Sequence, residues 1–152
     1  MSEITGKYFT LYELIQSSVA EEKGINNTPQ EEDIIKNIEE LIVFLDDIRE
    51  NWGSAIKVNS GYRCPLLNKA VGGSSTSSHL FGFAVDLVPV NGLIDDFFEF
   101  VKNYLISNDI PFDQLIDEHS GNVHWVHIGY KNSRGEQRKE IKVFKNGKYE
   151  KI

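Results

Sequence analysis

Ser77 to Asp86 reads Ser-Ser-His-Leu-Phe-Gly-Phe-Ala-Val-Asp, and His124-Trp125-Val126-His127 answers it about forty residues later. His79 and Asp86 can both hold a metal ion, and His127 can close the set from a neighbouring strand. Two histidines and one carboxylate form a common protein ligand set for catalytic zinc, which keeps a fourth position for water. Such an ion lowers the pKa of water toward neutrality and polarises a carbonyl. We therefore expect a catalytic zinc site built from His79, Asp86 and His127. Gly82 and Ala84 lie between the first two ligands, and residues this small let the backbone come close to a metal.

Composition narrows the setting of that site. The 152 residues suffice for one domain, expected over 1–152, with a core that needs no disulfide. The 16 Lys+Arg against 23 Asp+Glu give a net charge of -7, which argues against nucleic acid as a partner, because backbone binding rests on clustered cations. Cys64 is the one cysteine, so neither an intramolecular disulfide nor a thiolate zinc cluster can form, and a reducing compartment fits. There is no apolar run of membrane-spanning length, so no membrane insertion is expected. Met1-Ser2-Glu3-Ile4-Thr5 lacks the pattern of a signal peptide. The expected location is cytoplasmic as synthesised, with release by another protein needed to reach any substrate outside the membrane.

The elements that must position the site follow from periodicity and caps. Thr10 can cap a short helix carrying Leu11, Leu14 and Ile15 that ends near Gly24. Thr28, Pro29 and Glu31 have the pattern of a capping box with proline at the first helical position. They would open a long helix whose stripe from Ile34 to Ile48 runs to about Arg49. Ile56-Lys57-Val58 reads as a strand and Pro65 to Val71 as a brief helix stopped by Gly72-Gly73. Ser74 to Ser78 has a linker's composition, but with no second domain to tether it reads as an active-site loop.

Phe83 to Val88 is a strand candidate, and Leu93 to about Asn108 is a second amphipathic helix. Phe112 to Glu118 and Val123 to Tyr130 form a hairpin across His119-Ser120-Gly121-Asn122. Glu140 to Phe144 resembles an edge strand, with Asn146-Gly147 as a tight turn after it. Helices early and strands late predict α+β, with a mainly antiparallel sheet and N-terminal helices. Trp125, Phe83 and Tyr130 read as core or pocket wall, Cys64 as a small half-buried residue, and Arg134 to Glu140 as a solvated loop.

Ser77-x-His79-x-x-Gly82-x-Ala84-x-Asp86, the later Trp125-x-His127 and the upstream Ser60-Gly61-Tyr62-Arg63 together resemble the zinc D-alanyl-D-alanine carboxypeptidase family. That group of cell-wall peptidases shares its fold with hedgehog signalling domains. The similarity extends through Phe9-Thr10, Asn27-Thr28-Pro29, Leu67 to Gly73 and Val126-His127-Ile128, blocks most like the compact, phage-associated branch. The resemblance implies that His79, Asp86 and His127 bind Zn2+, and that Arg63 faces the site. A guanidinium there can hold a substrate carboxylate or stabilise a developing oxyanion. Ser77 would support the loop by hydrogen bonding, at the substrate side of the site with Trp125.

The general base stays open between Glu118 and His124. Relatives commonly place a Glu three residues before the last histidine ligand, or a His two before it, and here those places hold His124 and Trp125. In a regular strand His124 points away from His127, so a bulge would be needed to bring both inward. Across a four-residue hairpin connection Glu118 would pair with Val123, on the face of Trp125 and His127, and it is the favoured base.

The expectation is therefore a monomeric, zinc-dependent metallopeptidase that cleaves an amide bond in peptidoglycan stem peptides, with D-Ala-D-Ala carboxypeptidase as the first choice. A phage-type endolysin endopeptidase is the nearest variant. A zinc-binding module without hydrolytic activity is the alternative of another class, and a metal-free structural protein a third.

Overall fold

The computed structural model describes residues 6–152, so the reading of Met1 to Thr5 as a leaderless start lies outside the described residues. Thr10 Oγ1 accepts a hydrogen bond from the Glu13 amide and starts α1 (Leu11–Ile15) as its cap chemistry dictates. The helical stretch then breaks instead of running through to Gly24. Gln16 and Ser17 are extended, Ser17 caps α2 (Ser18–Lys23), and Gly24 closes it in the left-handed region at φ 65°.

The long helix α3 (Glu32–Trp52) also begins later than its sequence signals suggest. Thr28 caps nothing, because its own amide donates to Asn26 Oδ1 in a local turn and Pro29 is buried in a non-helical segment. Glu31 takes the cap position with no side-chain hydrogen bond. At the other end the helix passes Arg49 to Trp52, where Gly53 stops it at φ 77°. Ile38, Leu41, Ile42, Leu45 and Ile48 are each no more than 2% exposed, so the predicted stripe is the core face of α3. Each such side chain contributes about 1.5–3 kcal/mol by leaving water. The stripe meets Phe97, Phe98, Val101 and Leu105 of α5 (Ile94–Ser107) in one hydrophobic core.

Between and after these helices lie six strands, β1 (Ile56–Ser60), β2 (Ala84–Pro89), β3 (Gln114–Ser120), β4 (Val123–Gly129), β5 (Glu140–Lys145) and β6 (Lys148–Lys151). They form one sheet in the order β1-β2-β4-β3-β5-β6. The fold is α+β, and every pairing is antiparallel except β3 with β5. β5 is not the edge strand its sequence suggests. Asn146 and Gly147, at φ 53° and 74°, make the tight turn that folds β6 back onto it, and β6 takes the edge.

Because side chains alternate along a strand, each strand serves two faces. Val85, Leu87, Leu115, Val126 and Ile128 lie on the face that joins the helical core. Asp86, Ile116, Glu118, Trp125 and His127 lie on the other. The β3–β4 connection is a two-residue turn, Gly121-Asn122, rather than the expected four, so Glu118 pairs with Trp125 instead of Val123. A register shift of two keeps parity, and Glu118 still shares a face with Trp125 and His127. The remaining short elements are α4 (Pro65–Ala70) and one turn of 3-10 helix, Ser78–Phe81. Among the described residues, no helix is long and apolar enough to cross a membrane.

Candidate metal centre

His79 sits in the 3-10 turn, held from both sides. Ser77 Oγ caps the turn by accepting from the His79 amide at 3.2 Å. The His79 carbonyl accepts from the Arg63 amide at 3.0 Å. Its ring Nδ1 lies 2.7 Å from the carbonyl oxygen of Gly61. A carbonyl only accepts, so Nδ1 carries the proton and Nε2 keeps its lone pair for a metal, as histidine ligands generally do.

Gly82 ends the turn at φ 76°, and a Cβ there would lie 2.8 Å from Ile38 Cγ1 on α3. Gly82 therefore serves the backbone's left-handed step and its packing on α3. Gly61 has a comparable constraint, since a Cβ would meet the Leu14 carbonyl oxygen at 2.3 Å, the same oxygen that accepts from the Tyr62 amide. Gly61→Ala is expected to destabilise the protein by about 1–3 kcal/mol through overpacking. It should also weaken metal binding roughly 10–100-fold by turning His79. Denaturant melts of the apo protein and a metal titration check the two effects separately.

Asp86 and His127 face each other directly across β2 and β4. Asp86 Oδ1 lies 2.9 Å from His127 Nδ1 and 3.5 Å from His79 Nε2, and the three ligand atoms all fall within 4.8 Å of one another. Ligands about 2.0–2.1 Å from a tetrahedral zinc stand about 3.3 Å apart, so this donor set has the right spacing and chemistry for that ion. Burial pulls the His79 imidazole below its usual value. Although burial also works against charge on Asp86, the two histidines hold its carboxyl far below the usual carboxylate range. On His127 burial is outweighed by the Asp86 hydrogen bond, which pushes that imidazole up. A divalent ion held by this set would have to displace the proton between His127 and Asp86, so its binding would release protons.

The triad lies on the wall of a cleft of about 890 Å³. Arg63, Ser77, Glu118 and Trp125 line the same cleft, so it brings together every residue the sequence nominated except His124. His124 points from the opposite face of β4, paired with His119 and hydrogen-bonded to Asp117, and no bulge in that hairpin turns it inward. Glu118 is half-buried, and burial first, with Asp86 adding to it against His127, pushes its carboxyl above the ordinary value.

Arg63 is tied down on three sides. Its Nε donates to Ser60 Oγ at 3.2 Å, its Nη1 to Asn68 Oδ1 at 3.2 Å, and its Nη2 lies 3.6 Å from Asp86 Oδ2. Burial lowers its pKa, with Asp86 and Glu118 opposing, and a guanidinium so placed remains charged.

Three supporting residues escaped the sequence reading. Asn27, 7% exposed, donates to the carbonyls of Ile15 and Tyr62 and accepts from the Cys64 amide, fixing the chain on both sides of Arg63. Asn68 accepts from Arg63 and donates to the Ser74 carbonyl at 2.9 Å, which joins the serine loop to the guanidinium. Asp113 is fully buried and takes both arms of Arg138, so the segment read as a solvated loop is anchored and forms part of the cleft wall. Asn27 and Asn68 both lie within blocks that carried the family resemblance; nothing local marked the Asp113 partnership.

Compared with known proteins, residues 7–128 match a family model described as Peptidase M15. The matched span includes His79, Asp86, Glu118 and His127. No curated protein matches the chain.

Proposed function

The chain belongs to the peptidase M15 family, zinc metallopeptidases that act on peptidoglycan, and from that premise we propose that it hydrolyses an amide bond in a stem peptide as a monomeric domain. His79, Asp86 and His127 would hold the zinc ion, which supplies Lewis acidity for the carbonyl and acidifies water when bound. The observation that carries the reading is the convergence of these three ligand atoms in one cleft with Glu118 on the same sheet face.

Each remaining role falls to a side chain of the cleft. Glu118 takes a proton from the attacking water and returns it to the leaving amine, a task its raised pKa suits. Arg63, already oriented by Ser60 and Asn68, stabilises charge on the carbonyl oxygen or receives the substrate's terminal carboxylate. The Trp125 indole N–H is buried without a partner among the described residues and offers a donor to a peptide carbonyl. Ser77 keeps His79 in place through its backbone amide.

D-Ala-D-Ala carboxypeptidase activity is the first choice, since Arg63 can pair with a terminal carboxylate. A volume of about 890 Å³, walled by residues 72–78 and 132–138, exceeds what two alanines need and favours an endolysin-type endopeptidase as the second reading. Digestion of purified peptidoglycan followed by mass spectrometry distinguishes them: released D-alanine marks the carboxypeptidase, shortened stems or freed cross-links the endopeptidase. Either activity is expected to disappear with a chelator and return with Zn2+. Bound zinc with no fragment released would instead leave a non-hydrolytic zinc-binding module.

A further inference from the structure

The chain's four histidines divide two and two, each pair converging on one aspartate. His79 and His127 converge on Asp86; His119 and His124 converge on Asp117, on the opposite face of the same sheet. The Gly121-Asn122 turn sets His119 directly across from His124, and Asp117, two residues earlier on β3, shares their face by alternation. The rings stack with centroids 3.8 Å apart and planes 22° from parallel. Both Nε2 atoms thereby reach Asp117, His119 at 3.3 Å from Oδ2 and His124 on Oδ1. One ligand atom from each residue lies within 4.8 Å of the others. Their side chains are 28%, 21% and 17% exposed in the order His119, His124, Asp117, held by neighbours yet open to solvent.

We propose that Asp117, His119 and His124 form a second transition-metal site, selective for Zn2+ and ions of similar softness, with its remaining positions filled by water. Two imidazoles with one carboxylate suit such ions, whereas Ca2+ and Mg2+ want an all-oxygen shell. The strand register prearranges all three ligands, so an ion need only replace protons on the two Nε2 atoms. This site stands back to back with the cleft, because Asp117 adjoins Glu118 and His124 adjoins Trp125. Occupancy would cross-link the tip of the hairpin that carries Glu118. The inference rests on this second cluster and does not require the proposed catalytic role of the first.

The test is a calorimetric titration of untagged, metal-stripped protein with Zn2+, with zinc and protein quantified after desalting. Wild type is expected to take two equivalents, and His79→Ala, His119→Gln and Asp117→Asn one each. Asp117→Asn keeps the shape of the cluster and so guards against a misfolded His119→Gln. In His79→Ala protein, Zn2+ should shift the ring 15N resonances of His119 and His124. A single equivalent in wild type that His79→Ala abolishes, or two equivalents retained in both Asp117→Asn and His119→Gln, would overturn the second site. A single equivalent that survives His79→Ala but vanishes in Asp117→Asn would support it and count against the first.

Discussion

Glu118→Gln is expected to retain zinc and melt close to wild type while losing about 10²–10⁴-fold in kcat/KM, the range for removing a general base. The substitution keeps volume and shape but cannot accept a proton. Three observations select Glu118 over His124. Its pairing with Trp125 puts it on the face of Asp86 and His127; its pKa is raised by burial in the cleft; and Arg63 stands near enough to oppose that shift. His124 projects from the other face of β4, where its ring is engaged with Asp117 behind the sheet. The loss in His124→Ala should be far smaller than in Glu118→Gln. Equal losses in the two variants, or undiminished hydrolysis by Glu118→Gln at full zinc occupancy, would sink the assignment.

That choice also marks where sequence reasoning reached and where it stopped. Parity along a strand is independent of loop length as long as register changes by an even number, so the face of Glu118 was legible although its partner was not. The clustering of His79, Asp86 and His127 was legible because these residue types carry metal chemistry, their ligand atoms falling within 4.8 Å of one another, and the family match over residues 7–128 agrees with the resemblance those residues carry. The stripe of α3 was legible because Ile38, Leu41, Ile42, Leu45 and Ile48 are buried at helical spacing.

Its start was not, because the Thr28-Pro29 signal is local, whereas the bonds that tie buried Asn27 to Tyr62 and Cys64 on either side of Arg63 are tertiary and prevail. The same reason hid β6. Four residues with no buried side chain have no amphipathic signature, and only the Asn146-Gly147 turn pointed to a strand folding back. Arg138 was hidden most completely. Amid Arg134, Glu136, Lys139 and Glu140 it reads as one more surface charge, and only the fold brings Asp113, 25 residues away, beneath it.

That buried pair supports the largest stability effect expected here. Asp113 is 0% exposed; its Oδ1 accepts from Arg138 Nε at 2.8 Å and from the Arg138 amide at 3.1 Å, and its Oδ2 accepts from Nη2 at 2.9 Å. The fork geometry raises the Arg138 pKa, first through that hydrogen bond. The two partners are not equivalent, because the Arg138 side chain is 42% exposed and its carboxylate partner is fully enclosed. Removing Asp113 lets the guanidinium turn into water, whereas removing Arg138 strands a charge in the interior. Arg138→Ala is therefore expected to cost about 3–5 kcal/mol, roughly a 10 °C fall in Tm for a chain of this size. Asp113→Asn should cost less, and the double variant less than the sum, in a denaturant double-mutant cycle. Both single variants should also raise KM, since residues 132–138 wall the cleft and Arg138 pins their end to Asp113, just before β3. An Arg138→Ala protein as stable as wild type, or less perturbed than Asp113→Asn, would mean the pair is a surface ion pair and that the wall is held by the backbone bonds around Asn132 instead.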